Sequence, residues 1–125
     1  MTHVTAHAPD RTAHAILRAA TDGAHRRVDA LAAGLDLSRT ADYRAFLLAQ
    51  ATALLPLEDA LRDGGFATVC PGWRPRTPAL RAAIDALGGR TAPGPAVPHG
   101  ASPAALWGIA YVVEGSRLGG RLLAR

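Results

Sequence analysis

Between Ala104 and Gly120 the chain is almost wholly apolar, and four glycines interrupt it (Gly108, Gly115, Gly119 and Gly120). Ser102 and Pro103 precede the run as a helix start, so the segment predicts a last helix from Ser102 to the C-terminus. Each interior glycine costs about 0.5–1 kcal/mol relative to alanine. At about 100° per residue, Ala104, Gly108, Gly115 and Gly119 fall within about 60° of one another. One side of the helix is thereby stripped of side chains. Two readings stay open: a flat ligand lying close to the backbone, or a tight helix–helix crossing. Ala104 to Val113 is apolar nearly all round, which predicts burial on several sides.

The rest of the chain also reads as helical. Half of its 125 residues are apolar, yet aromatics make up only 5%, a balance that favours helices over strands. Residues 1–10, with His3, His7 and Pro9, read as a flexible tail and residues 11–125 as one helical domain. The first helix is predicted from Arg11 to Ala33, because Ile16, Leu17, Ala20, Ala24, Val28 and Leu31 recur at three- and four-residue steps. Gly34 stops it, and Ser38 or Thr40 caps the second helix. That helix is predicted from Arg39 to Arg62, burying Tyr43, Phe46, Leu47, Gln50, Leu54, Leu57 and Leu61. Pro56 predicts a kink near Thr52, and Gly64-Gly65 an end. Residues 66–78 read as an irregular connection in which Trp73 plugs the bundle end. A short helix is predicted from Pro78 to Leu87, closed by Gly88-Gly89, and residues 90–101 read as a loop.

Several function classes are disfavoured. The formal charge is +4 and every basic residue is arginine. No dense basic stretch is interleaved with aromatics, which argues against nucleic acid, while the positive excess suits a ligand bearing carboxylates. The single Cys70 forms no internal disulfide and lacks metal-ligand spacing. No leader or membrane span is evident, so a soluble cytoplasmic protein is the expectation.

His25 is the candidate with a setting. It stands on the shoulder of the first helix's apolar stripe, with Thr21 one turn before it and Asp29 one turn after. Asp29 or a backbone carbonyl can hold one ring nitrogen and leave the other for a metal. Arg18, two turns earlier on the same shoulder, can pair with a carboxylate. A lone helical histidine is also commonly a surface or core residue, and that reading stays open beside the ligand one. His14 reads as solvent-facing and His99 as a loop residue.

These residues together resemble a known family. The stretch Leu17-Arg18-Ala19-Ala20-Thr21-Asp22-Gly23-Ala24-His25, with Asp29 beyond it, is similar to the proximal helix of heme oxygenases. Tyr43-Arg44-Ala45-Phe46-Leu47 and Pro56-Leu57-Glu58 resemble the second-helix signature of the bacterial members. Leu80 to Gly88 is similar to the segment before the distal helix. Tyr111-Val112-Val113-Glu114-Gly115-Ser116-Arg117-Leu118-Gly119-Gly120 resembles the glycine-rich distal helix of the bacteriophytochrome-associated branch.

The resemblance implies an all-α, heme oxygenase-like helical bundle that includes the distal helix and lacks the helices C-terminal to it. It implies heme as both cofactor and substrate, with His25 as the iron ligand. Arg18, Thr21, Asp29, Tyr111, Val112, Gly115, Gly119 and Gly120 would line the heme, and Gly115, Ser116 and Gly119 would form the catalytic face. Oxygen and electrons from a ferredoxin or reductase would convert heme to biliverdin, carbon monoxide and iron, and a bacteriophytochrome is a possible acceptor of the product. Where the mammalian-type members carry a water-organising aspartate, this chain has Ser116. Loss of the later helices would leave part of Leu106, Ile109 and Val113 without a partner, which implies a homodimer, another protein partner or poor stability. Two further readings are a shortened module that binds heme or biliverdin without turnover, and a degenerate bundle that binds neither and acts through a protein partner.

Overall fold

The computed structural model describes residues 12–97 and 100–123, with side-chain environments as far as Arg117. The expected N-terminal tail and His99 lie outside the described residues. Five helices succeed one another: α1 (Ala13–Ala33), α2 (Thr40–Asp63), α3 (Phe66–Val69), α4 (Thr77–Ala86) and α5 (Pro103–Leu123). Among the described residues there is no strand, so the fold is all-α, as the composition predicts. No helix among them is long and apolar enough to cross a membrane. The helices fall into two units, the first ending at Asp36 and holding α1, the second beginning at Leu37 and holding α2–α5.

In the first unit, Thr12 caps α1 from an extended conformation, its hydroxyl oxygen accepting from the Ala15 N–H at 3.2 Å. Gly34 terminates the helix. The apolar stripe forms as its periodicity requires, yet no residue of α1 is buried, and Ile16, Leu17, Val28 and Leu31 are all exposed.

In the second unit, α2 is the central element and packs against α3, α4 and α5. Its buried face is Leu47, Ala51, Leu54, Leu55, Glu58 and Leu61. Three of the predicted core positions are therefore correct, Phe46 and Leu57 are half-buried, and Tyr43 and Gln50 are exposed. The helix is turned toward Ala51, Leu55 and Glu58 because α4 and α5 both pack on that arc. The N-cap position is Arg39, without a side-chain capping bond, where Ser38 or Thr40 was the expectation.

α2 stays helical through Pro56. A proline offers no N–H to the carbonyl four residues earlier, so Thr52 has a carbonyl without its helical donor. The loop after α4 is seated there. A Cβ built on Gly94 would run into the Thr52 carbonyl and meet the Pro56 ring at 3.0 Å, so only glycine lets the loop come this close.

The 66–78 connection is more ordered than predicted. Its first residues form the helical turn α3, because Phe66, only 2% exposed, is wedged edge-to-face between two indoles, 5.8 Å from Trp73 and 4.9 Å from Trp107. Trp73, which the sequence placed as a plug, is buried in the core cluster against Phe66. α4 starts at Thr77, one residue earlier than predicted, and its cap is tertiary. The buried Glu58 carboxylate accepts from the Arg76 and Thr77 N–H groups, each at 2.8 Å, and from the Thr77 hydroxyl at 2.6 Å. A carboxylate also suits the positive end of the α4 dipole. Gly88, at φ 65°, closes the turn after α4.

α5 begins where Ser102 and Pro103 predict, with the Ser102 hydroxyl accepting from Ala105 at 3.2 Å. Its burial differs from the prediction. Leu106, Ala110 and Val113 are buried and Ile109 is half-buried, whereas Trp107, Tyr111 and Val112 are 53–70% exposed. One side of α5 packs on α2 and the opposite side does not. Leu106 and Val113 therefore have partners, and the exposed apolar surface is carried by Trp107, Tyr111 and Val112 instead. Gly64, at the end of α2, permits the close packing: a Cβ there would meet the Leu106 methyls at 2.7 Å.

Candidate functional site

The exposed side of α5 has an unusual surface for a helix. Gly108 and Gly115 lie along its middle, and a Cβ added to either would meet nothing within 4 Å. At about 100° per residue, Tyr111 and Val112 flank this strip on opposite sides, and both are exposed. The helix backbone is therefore bare at these two positions, with exposed apolar side chains on either side. Gly119 and Gly120 continue α5 in the stretch 118–123, whose surroundings fall outside the described side chains.

Ser116, beyond Val112 around the helix, is exposed and tied to the interior. Its hydroxyl donates to the Val113 carbonyl at 2.7 Å and accepts from Arg76 Nη2 at 2.8 Å. Arg76 Nη2 also reaches the Val113 carbonyl at 2.8 Å. Behind it, Arg76 Nε lies 3.9 Å from Glu58 Oε1, with Glu58 2% exposed. The Arg76 guanidinium is held below its ordinary pKa, first by desolvation and then by repulsion from Arg117, with Glu58 and Glu114 opposing. A polar clamp thus runs from α2 through the start of α4 to α5 at Ser116. The sequence reading missed Glu58 and Arg76 as members of it. The available signal was Glu58 in register with Leu47, Ala51, Leu54 and Leu61.

The first-helix candidates sit in the other unit. His25, Arg18, Thr21 and Asp29 are all exposed. The Thr21 hydroxyl donates to the Leu17 carbonyl at 2.9 Å, so its hydrogen is committed to its own helix. Asp22 pairs with Arg26 at 2.7 Å. Among the described residues, the His25 imidazole and the Asp29 carboxylate have no hydrogen-bond partner, which leaves both ring nitrogens available. Nor do those residues contain a group of three or more His, Cys, Asp or Glu able to hold a metal ion.

No protein-family model matches the chain, and no solved structure matches it. Over 74 residues the chain is 43% identical to a protein described as heme oxygenase from Xanthomonas campestris pv. campestris (strain 8004). The aligned stretch is 58% of this chain and 44% of that protein, so the chain spans less than half the length of the curated relative it matches.

Proposed function

We propose that the chain belongs to the heme oxygenase family, in its bacterial biliverdin-producing branch, and that it binds heme for oxidative cleavage. The observation that carries this reading is the glycine-floored outer face of α5, taken together with the 43% identity to a heme oxygenase. The residues suit the group: the backbone at Gly108 and Gly115 is open where side chains would otherwise stand, and the residues on either side are apolar.

In this reading His25 would bind the iron through one ring nitrogen, and Asp29 or a backbone carbonyl would orient the ring through the other. Arg18 pairs with a carboxylate at the porphyrin edge. Tyr111 and Val112 would contact the macrocycle, and Gly115, Gly119 and Gly120 would add no side chain against it. Ser116 has its own hydrogen committed to the Val113 carbonyl, so toward water it serves as an acceptor and orders a molecule beside the strip. Heme, once bound, supplies the iron at which oxygen and electrons from a ferredoxin or reductase are used, the products being biliverdin, carbon monoxide and iron.

The test is a hemin titration followed by ascorbate or a reductase in air. The expected result is a Soret band that is replaced by biliverdin absorption. A Soret band that persists under reduction supports the second reading, a module that holds heme without turnover. Absence of any Soret band overturns both. His25→Ala is expected to shift or weaken the Soret band, and an unchanged spectrum would place the iron ligand elsewhere.

A further inference from the structure

A cavity of about 670 Å³ opens beside α5, on the far flank of Tyr111 from the glycine strip. It lies wholly within the second unit, between α5 and the chain from Phe66 to Arg74. Its apolar lining is aromatic (Phe66, Trp73, Trp107 and Tyr111), and Arg74 and Arg117 stand at its polar end beside Glu114. The size is that of a small-molecule pocket. The aromatic lining favours a flat ring system, through stacked or edge-to-face contact.

The polar end is rich in donors and short of acceptors. The Trp73 side chain is buried, and its indole N–H has no acceptor among the described residues. The same holds for the Nε groups of Arg76 and Arg117. Arg117 Nε is 3.1 Å from Glu114 Oε2, an ion pair off hydrogen-bond alignment. Arg117 Nη2 donates to the Arg74 carbonyl at 2.7 Å and to Glu114 Oε1 at 3.3 Å. Arg74 Nη1 donates to the Pro71 and Trp73 carbonyls. Those bonds hold both guanidiniums at the polar end of the cavity. Among the described residues, Glu114 is the one carboxylate lining the cavity, against the two lining arginines Arg74 and Arg117. Buried donors lacking acceptors are uncommon in native proteins, and a surplus of fixed cationic donors fits an acceptor-only group.

We propose that this cavity is a second ligand site, separate from the glycine strip, and that it takes a planar aromatic carboxylate. The ring system lies among Phe66, Trp107 and Tyr111. The carboxylate accepts from the Arg74 and Arg117 guanidiniums, and the Trp73 indole N–H gains the acceptor it lacks. The inference does not depend on the heme reading: none of its observations involves α1 or the glycines, and Tyr111, which stands between the two surfaces, is the residue they share.

The probes are 2-naphthoate and its neutral methyl ester, titrated by calorimetry and by indole N–H signals in ¹H–¹⁵N spectra. The chain has two tryptophans, so Trp107→Phe assigns the pair of signals. Naphthoate is expected to bind at least about ten-fold more tightly than the ester, a difference of about 1.4 kcal/mol, and to move the Trp73 signal downfield. Arg117→Gln is expected to bring naphthoate down to the affinity of the ester, and Arg117→Lys to keep most of it. If Arg117→Gln lowers the melting temperature sharply, Arg74→Gln supplies the same comparison. Equal binding of acid and ester, or a Trp73 signal that does not move, overturns the proposal. Stoichiometric hemin should leave naphthoate binding intact, and one-for-one displacement by hemin would overturn the separate site. A chain that binds naphthoate but gives no Soret band would retain this inference and lose the heme reading.

Discussion

The two sides of α5 are built from the same stretch of sequence to opposite ends. On the inner side, Leu106, Ala110 and Val113 are buried against the rest of the second unit, and Arg76 grips the Val113 carbonyl and the Ser116 hydroxyl from outside the helix. On the outer side, Gly108 and Gly115 leave open space and Tyr111 and Val112 are exposed. Apolar residues alone do not distinguish the sides, since both are apolar. The difference lies in where side-chain volume is present and where it has been removed. The side that packs carries Leu106, Ala110 and Val113, and the opposite side exposes backbone at Gly108 and Gly115. Glycine in a helix is destabilising, so a strip of it on an exposed side contributes nothing to the fold alone.

Substitutions on each side should separate stability from ligand binding. The largest expected effect is at Glu58. Glu58→Ala leaves three donors at the start of α4 without their acceptor and Arg76 without its counter-charge, and should lower unfolding free energy by about 3–5 kcal/mol in urea melts. A loss under about 1 kcal/mol would mean that the clamp does not hold α5. Leu106→Ala should come next, at about 2–5 kcal/mol from lost burial and the cavity left behind, with the hemin affinity of the folded fraction unchanged. A matching drop in hemin affinity would erase the distinction between the sides. Gly115→Leu should do the reverse, weakening hemin binding at least about ten-fold (about 1.4 kcal/mol) with the melting temperature maintained or raised. The smallest effect is expected from Gly108→Ala, whose methyl meets open space, and which should stabilise the helix by about 0.5–1 kcal/mol. Destabilisation there would show that something covers the strip.

How much of the molecule is legible in its sequence varies with the range of the interaction. The helices α1, α2, α4 and α5 are legible to within a residue or two, because their apolar spacing and their Gly, Pro and Ser boundaries act within one or two turns. The turn α3 is not, because its cause is Phe66 wedged between Trp73 and Trp107, the second of these far along the chain. Nor is the buried arc of α2, which periodicity narrows only to neighbouring positions. The glycine strip is legible as a strip, but whether it faces a neighbouring helix or open space is not. His25 is legible as a histidine on the shoulder of an apolar stripe, and it is found exposed there, with both ring nitrogens available.

What the amino-acid order determined by itself is the set of helices and the stripping of one side of the last one, since both arise from backbone propensity and a fixed angular step. Only the tertiary structure decided which side of α5 packs on α2, that a carboxylate on α2 caps α4, and that Arg76 ties the cap to Ser116. These depend on contacts between residues 18 to 40 positions apart. Such distances close only when helices dock, and no local pattern encodes the angle at which they do so.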